Sequence, residues 1–425
     1  MKIKISLIMK FVYVLLILLQ FSFFKLLGNQ IPIFSTEYDQ YPMVIFYVAC
    51  VVFLLILGSV YAVRATYLKT TCILCFAASC LGIYNAISEN GVELMTALSI
   101  GIEYIYLMIA IPLYYLLVWE KWDFRKLLNL LLIFGVGAYA IRWGISFYCS
   151  ISGTVVFGNI ARESASSGWI RNGILRVNPP FIGIIIVPIA YYLATTVTKT
   201  IHKTLYYLSI IIVVAYTIQV HQARSLMIYQ LMTIVILFEV EKVNDKKKLL
   251  RMAVLLVGII VLVNTEWFGS LVDSFSESNA DYGGSTTARI NALAVFGARY
   301  LNSPIFGIGF LERNSQKLTT ISGDISDIGM LRSVFMLGIP IIIVFIMIFI
   351  RGFYVYNKAN KAGMQNEALL VLGMTISVIM TGINIDLFVG IFSFGIPFYM
   401  AITEYVLYKS RECEDIEECG GIWET

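Results

Sequence analysis

Charge is scarce in this chain. Asp, Glu, Lys and Arg make up 14% of its 425 residues, where a soluble globular chain carries about a quarter. Apolar residues reach 59%, and mean hydropathy is +0.81. Apolar runs of about 20 residues, the length that crosses a hydrocarbon core, recur from end to end. A soluble fold is excluded. The chain reads as all-α, a polytopic membrane helix bundle forming one integral membrane domain over 1–425.

Other absences narrow the chemistry. There is no P-loop, no G-x-G-x-x-G after a strand and no D-x-D pair in a cytoplasmic connector, so no soluble nucleotide-binding module is present. A transferase of this kind would take a lipid-linked sugar at the outer face, not a sugar nucleotide, and nucleic acid is not an expected partner. The first apolar run, from Ile5 to Leu27, is long and lacks a small-residue cleavage site, so it reads as a span and not as a cleaved signal. Cys72 and Cys75 form C-x-x-C with Cys80 nearby, but inside an apolar helix, where cysteine behaves as a small hydrophobe. Cys413 and Cys419 fall in a polar tail, 409–425, on the side where disulfides are rare. Neither a cofactor nor a metal is expected. No internal repeat with matching broken helices is visible, which weighs against an inverted-repeat transporter.

Hydropathy divides the chain into about twelve spans: 5–27, 42–63, 70–88, 92–118, 127–149, 179–197, 204–220, 223–241, 250–268, 328–350, 366–384 and 387–408. One set of connectors holds Lys2 and Lys4, Arg64 and Lys69, Lys121, Arg125 and Lys126, Lys199 and Lys203, Lys246 to Lys248 with Arg251, Arg351, Lys358 and Lys361, and Lys409 with Arg411. The other set begins with 28–41 and 89–91, which carry acids and no Lys or Arg. Short basic connectors stay in the cytoplasm, so both termini are expected there.

Two long connectors, 150–178 and 269–327, face the other side with the tight turn at His221–Arg224. They hold most of the outward basic residues, against the general charge bias: Arg162, Arg171, Arg176, Arg289, Arg299, Arg313 and Lys317. Residues 269–284 are Ser-, Asn- and Gly-rich and read as flexible. Thr286 or Thr287 can cap a helix that ends at Asn302-Ser303-Pro304. Ile290, Leu293, Ala294, Gly297, Tyr300 and Leu301 share its apolar face, which predicts an amphipathic helix on the outer membrane surface.

Arg289 is then in that helix's first turn, where free N–H groups and a guanidinium together suit a phosphate. Arg299, ten residues on, lies about 80° around the helix. Arg224 opens the span 223–241, and Arg171 and Arg176 flank the Pro179-Pro180 entry to another. Each of these arginines reads equally as an anchor in lipid headgroups. Asp324 and Asp327 precede the span 328–350. Either is a helix cap or, facing arginines, a general base. His202 reads as solvated, and His221 as a polar turn residue.

Two segments resemble the O-antigen polymerase/ligase (Wzy-type) superfamily: HQARSLMIYQLMTIVILF at 221–238, and ARINALAVFGARYLNSPIFGIGF at 288–310 followed by DISDIGMLRSVFMLGIPIIIVF at 324–345. The second carries an arginine, a short helix, P-x-x-G-x-G and a polar entry into a span. The resemblance covers about 170–350. It implies a GT-C-like fold in the bacterial cytoplasmic membrane, an extracytoplasmic active site and undecaprenyl-pyrophosphate-linked glycan repeats as donors. It further implies Arg224 and Arg289 on the pyrophosphate, and a chain-length regulator and other polysaccharide assembly proteins as partners. Ligases of the superfamily place a histidine in the large outer loop. This chain has Asp327 in that area instead, which favours a metal-independent repeat-unit polymerase over a ligase. A lipid-linked sugar flippase or solute transporter is the reading from another class.

Overall fold

The computed structural model describes residues 5–19, 65–153, 170–171, 173–241, 283–312, 315–318, 323–388 and 394–420, with single positions between 269 and 276. The expected spans 42–63 and 250–268, most of 269–284, and Arg162 and Arg313 lie outside them. The helices are α1 (Ile5–Leu19), α2 (Thr66–Ser88), α3 (Leu94–Ile105), α4 (Ala110–Val118), α5 (Phe124–Ser152), α6 (Ile186–Thr196), α7 (Thr200–Tyr216), α8 (Arg224–Val240), α9 (Gly283–Leu301), α10 (Met330–Leu337), α11 (Ile339–Lys361), α12 (Gln365–Gly382) and α13 (Gly395–Gly420). A two-stranded hairpin, β1 (Ile170–Arg171) and β2 (Ile174–Leu175), is the only sheet among the described residues.

Among the described residues, five helical stretches are long and apolar enough to cross a membrane: Thr66–Ser88, Leu94–Val118, Phe124–Ser152, Thr200–His221 and Ile339–Lys361. Their outward faces are apolar too. Ile73, Ile133, Phe147, Ile211, Ile346 and Ile350 are all exposed large hydrophobics. Water penalises such a surface, whereas lipid does not.

The centre of the bundle is α6 and α12. Residues 186–194 of α6 are buried on every side, as are most of α12's. A helix that is apolar all round has to be enclosed. Here α5, α7 and α8 enclose α6, while α8, α11 and α13 surround α12. At one end of the bundle, which carries the lysine-rich connectors, polar clamps fix the helix ends. Arg351 grips Glu404 through two bonds of 2.6 and 2.9 Å, and Tyr192 donates to Glu367 at 3.0 Å.

The expected span 328–350 is broken. A 3-10 turn over Ile325–Ile328 leads into α10, and Gly338, at φ +70°, separates α10 from α11. The apolar run hides this break because the residues on both sides of it stay apolar. Its cause is the P-x-x-G-x-G segment. Ile308 and Gly309 donate to the carbonyls of Phe335 and Met336 at 2.8 and 3.0 Å, and Ile339 returns a bond to Ile305 at 3.0 Å. A Cβ on Gly307 would collide with the Met336 carbonyl, and one on Gly338 with that of Ile305. Both glycines therefore serve a backbone-to-backbone clasp. A further bond, Phe310 N–H to the Gly82 carbonyl at 3.2 Å, ties it to α2.

Candidate functional site

The expected helix of the long connector exists as α9, with one correction. It begins at Gly283, so Arg289 lies in its second turn. The free N–H groups of the first turn are then out of its reach, and the guanidinium has to bind an anion without them. Most of the expected apolar stripe stays exposed, and a narrower face meets the protein. Ala288, Ala292 and Phe296 point inward, while Ile290, Leu293 and Leu301 are exposed. α9 packs on the 3-10 turn and α10. Tyr300 stacks on Phe335 with ring centroids 5.2 Å apart.

This packing sets Arg289 among polar groups from three other elements. Its charge bears on Asp327 of the 3-10 turn and on Tyr229 of α8. Asn384, just past α12, donates to the Tyr229 hydroxyl. The Arg289 Nε is buried with no hydrogen-bond partner among the described residues. Gln230, next to Tyr229, is 4% exposed, yet neither end of its carboxamide is bonded; the Thr381 hydroxyl on α12 is likewise buried and unbonded. Unmet hydrogen-bonding capacity of this kind is uncommon in a folded interior and points to a polar ligand or water.

The two aspartates separate. The Asp324 carboxylate accepts from the Ser326 N–H at 2.8 Å and caps the turn. Asp327 is not committed in this way, and it keeps solvent access. Enclosure by the surrounding protein is the main influence raising its pKa. Asp324 adds to the rise, and Arg289 opposes it. A small backbone frame holds the turn in place: Ile325 donates to Gln316 at 3.0 Å and Leu318 to Gly323 at 2.9 Å.

The remaining arginines fall into separate places. Arg176 donates from Nε to the His221 carbonyl at 2.8 Å. That bond brings it beside the start of α8, where Arg224 is half-buried. Arg224 and Tyr229 share α8 but differ by about 7.5 Å along its axis and about 140° around it, so α8 carries both without setting their side chains together. Arg299 is exposed, near Asn90 at 3.5 Å, and about 15 Å along α9 from Arg289. The structure does not bring it to the others. Arg171 sits in β1 opposite Ile174, and its side chain lies outside the described residues.

Sequence reasoning passed over Arg332. This residue is 9% exposed on α10, and its Nε has no partner among the described residues. Its Nη2 reaches the Gln316 side chain at 3.4 Å. Its charge also bears on Asp386, 4% exposed in the α12–α13 connector. A cation ahead of the glycine break was the signal that could have found it. Arg142 is buried too, donating to the Asn178 carbonyl at 2.8 Å. Cys72 and Cys75 are buried, and the Cys75 thiol donates to the Tyr104 carbonyl at 3.2 Å, as core packing requires.

Chemically, the site offers guanidinium groups for an anion and a carboxylate with a raised pKa beside them. No protein-family model matches the chain, and a search of the curated proteins finds no match.

Proposed function

We propose that the chain is a membrane glycosyltransferase, a repeat-unit polymerase acting on undecaprenyl-pyrophosphate-linked oligosaccharides at the outer face of the bacterial cytoplasmic membrane. The carrying observation is Arg289, whose Nε is buried with no partner among the described residues and whose charge bears on Asp327. In this reading the acceptor hydroxyl oxygen of one lipid-linked repeat bonds to the anomeric carbon of another glycan. The bond from that carbon to the pyrophosphate oxygen breaks, and undecaprenyl pyrophosphate leaves with the electron pair. Asp327 takes the hydroxyl proton and passes it to solvent. Arg289 and Arg224 meet the charge that grows on the leaving oxygens, with Arg176 behind Arg224. Fixed charges of this kind often dominate catalysis. Asp324 is already engaged as a cap, which supports Asp327 as the base.

About twelve spans, a GT-C-like arrangement, cytoplasmic termini and contact with a chain-length regulator belong to the same proposal. The buried charges Arg142, Arg332 and Asp386 favour one rival, a flippase for the same lipid-linked sugar, because ionisable groups inside a bundle often mark a translocation path. Reconstitution of the purified chain with lipid-linked repeats separates the two. Growth of the glycan supports the polymerase. Transfer across the bilayer without growth supports the flippase and refutes the polymerase.

A further inference from the structure

A cavity of about 510 Å³ opens at the other end of the bundle, between the α4–α5 connector and α13. Its lining is apolar at Leu117 and Val118 and aromatic at Trp122, Phe124 and Tyr405. Phe124 and Tyr405 lie against each other with centroids 4.7 Å apart, and Trp122 leans on Tyr13 at 6.4 Å. Trp119, just outside, is 50% exposed. Tryptophan and tyrosine concentrate where a bilayer meets water, so the cavity stands at headgroup level.

The charges in it are unevenly committed. Asp123 accepts from the Lys126 N–H at 3.0 Å and caps α5. Glu412 pairs with Lys409 at 2.7 Å, and bonds from Lys409 and Tyr408 hold its carboxyl below the usual carboxylate range. Both acids are therefore engaged, and so is Lys409. Lys121 and Arg125 make no side-chain hydrogen bond or ion pair among the described residues. Lys121 also stands at φ +45°, in the turn closed by Trp122 N–H on the Leu116 carbonyl at 2.8 Å. Glycine adopts that backbone at lower cost, so a lysine there points to use of its side chain.

We propose that this cavity binds the phosphate of an anionic phospholipid headgroup through Lys121 and Arg125, with the acyl chains leaving past Leu117 and Val118. The lining sets three cations, Lys121, Arg125 and Lys409, against two acids, Asp123 and Glu412, so a zwitterionic headgroup, which brings its own cation, gains less there than a net anionic one. The site thus selects for net negative charge. It stands independently of the polymerase reading.

The test uses the full chain in detergent, delipidated and titrated with dioctanoyl phosphatidylglycerol, dioctanoyl phosphatidylcholine or inorganic phosphate, with bound ligand counted by native mass spectrometry. Lys121→Gly/Arg125→Gln removes both charges while relaxing the backbone at 121, so loss of fold is not expected. Lys199→Gln/Lys203→Gln removes two cations at the same end, outside the cavity. At about one basic-residue contribution per charge, binding of the phosphatidylglycerol should weaken roughly thirtyfold in the first variant and stay unchanged in the second. Phosphatidylcholine should bind at least tenfold more weakly to the unaltered chain. Equal binding of the two lipids, or equal loss in both variants, overturns the proposal. Inorganic phosphate binding as tightly as phosphatidylglycerol also overturns it, by identifying a soluble phosphate as the occupant.

Discussion

Ser333 donates its hydroxyl proton to Asp386 at 2.6 Å, across 53 positions of sequence. The Tyr104 hydroxyl lies 2.8 Å from that of Ser333, and the Phe388 N–H occupies the second carboxylate oxygen at 3.1 Å. Three segments thus meet on one buried acid: α3, α10 and the α12–α13 connector. Arg332, adjacent to Ser333, supplies the opposing charge.

Removing members of this group should cost stability in a set order. Ser333→Ala deletes one hydrogen bond to a charged group, worth about 1.5–3 kcal/mol. Asp386→Ala removes that bond and also the acid whose charge bears on buried Arg332, so it should cost more than Ser333→Ala. Denaturation of the detergent-solubilised chain reads both. A smaller effect for Asp386→Ala than for Ser333→Ala would show that the charges do not act as a pair.

The clasp between 305–309 and the α10–α11 break makes a second prediction. Gly338 and Gly363 have nearly the same backbone, φ +70° and +73°, but a Cβ at 338 meets the Ile305 carbonyl and one at 363 meets nothing within 4 Å. Gly363→Ala should cost only the left-handed penalty of about 1–2 kcal/mol. Gly338→Ala should cost clearly more, seen as a lower unfolding midpoint and as protease access to the 302–312 segment. Equal costs would refute the clasp.

The pH dependence of the proposed reaction follows from Asp327. Its pKa is raised, so the carboxylate needed as base is lost as pH falls through a value above the ordinary aspartate range. Asp324→Asn removes a contribution that raises it and should move the acid limb of the rate profile to lower pH. Arg289→Gln removes the opposing charge and should move the limb of the residual activity to higher pH. Shifts in the same direction, or none, would remove Asp327 from the role of base.

The helical class was legible because apolar runs of membrane length need no tertiary information. The interior of the site was not. Arg332 stands in a run that reads as one span, and only the clasp at Gly338 reveals that α10 is a separate piece carrying a buried cation. The apolar stripe of α9 was legible, but not the narrower face that meets the protein, because periodicity finds a stripe without saying what the rest of the helix touches. In a membrane-associated chain the larger stripe, with Ile290, Leu293 and Leu301, stays outside, and the small Ala288 and Ala292 allow close packing inward. Arg289 and Asp327 were found as residues but not as neighbours, since 38 positions of connector and a 3-10 turn determine their approach. Asp324, equally open to both readings in sequence, is resolved by a single bond to Ser326.

Chain extension by the purified, reconstituted chain is the most direct measurement. With synthetic lipid-linked repeats and Arg289→Ala compared against Arg299→Ala, polymer formation should fall by about a hundredfold or more for the first, the scale of losing one preorganised charge contact. Arg299→Ala, exposed and remote on the same helix, should extend chains at close to the unaltered rate. Undiminished extension by a correctly folded Arg289→Ala would contradict the account.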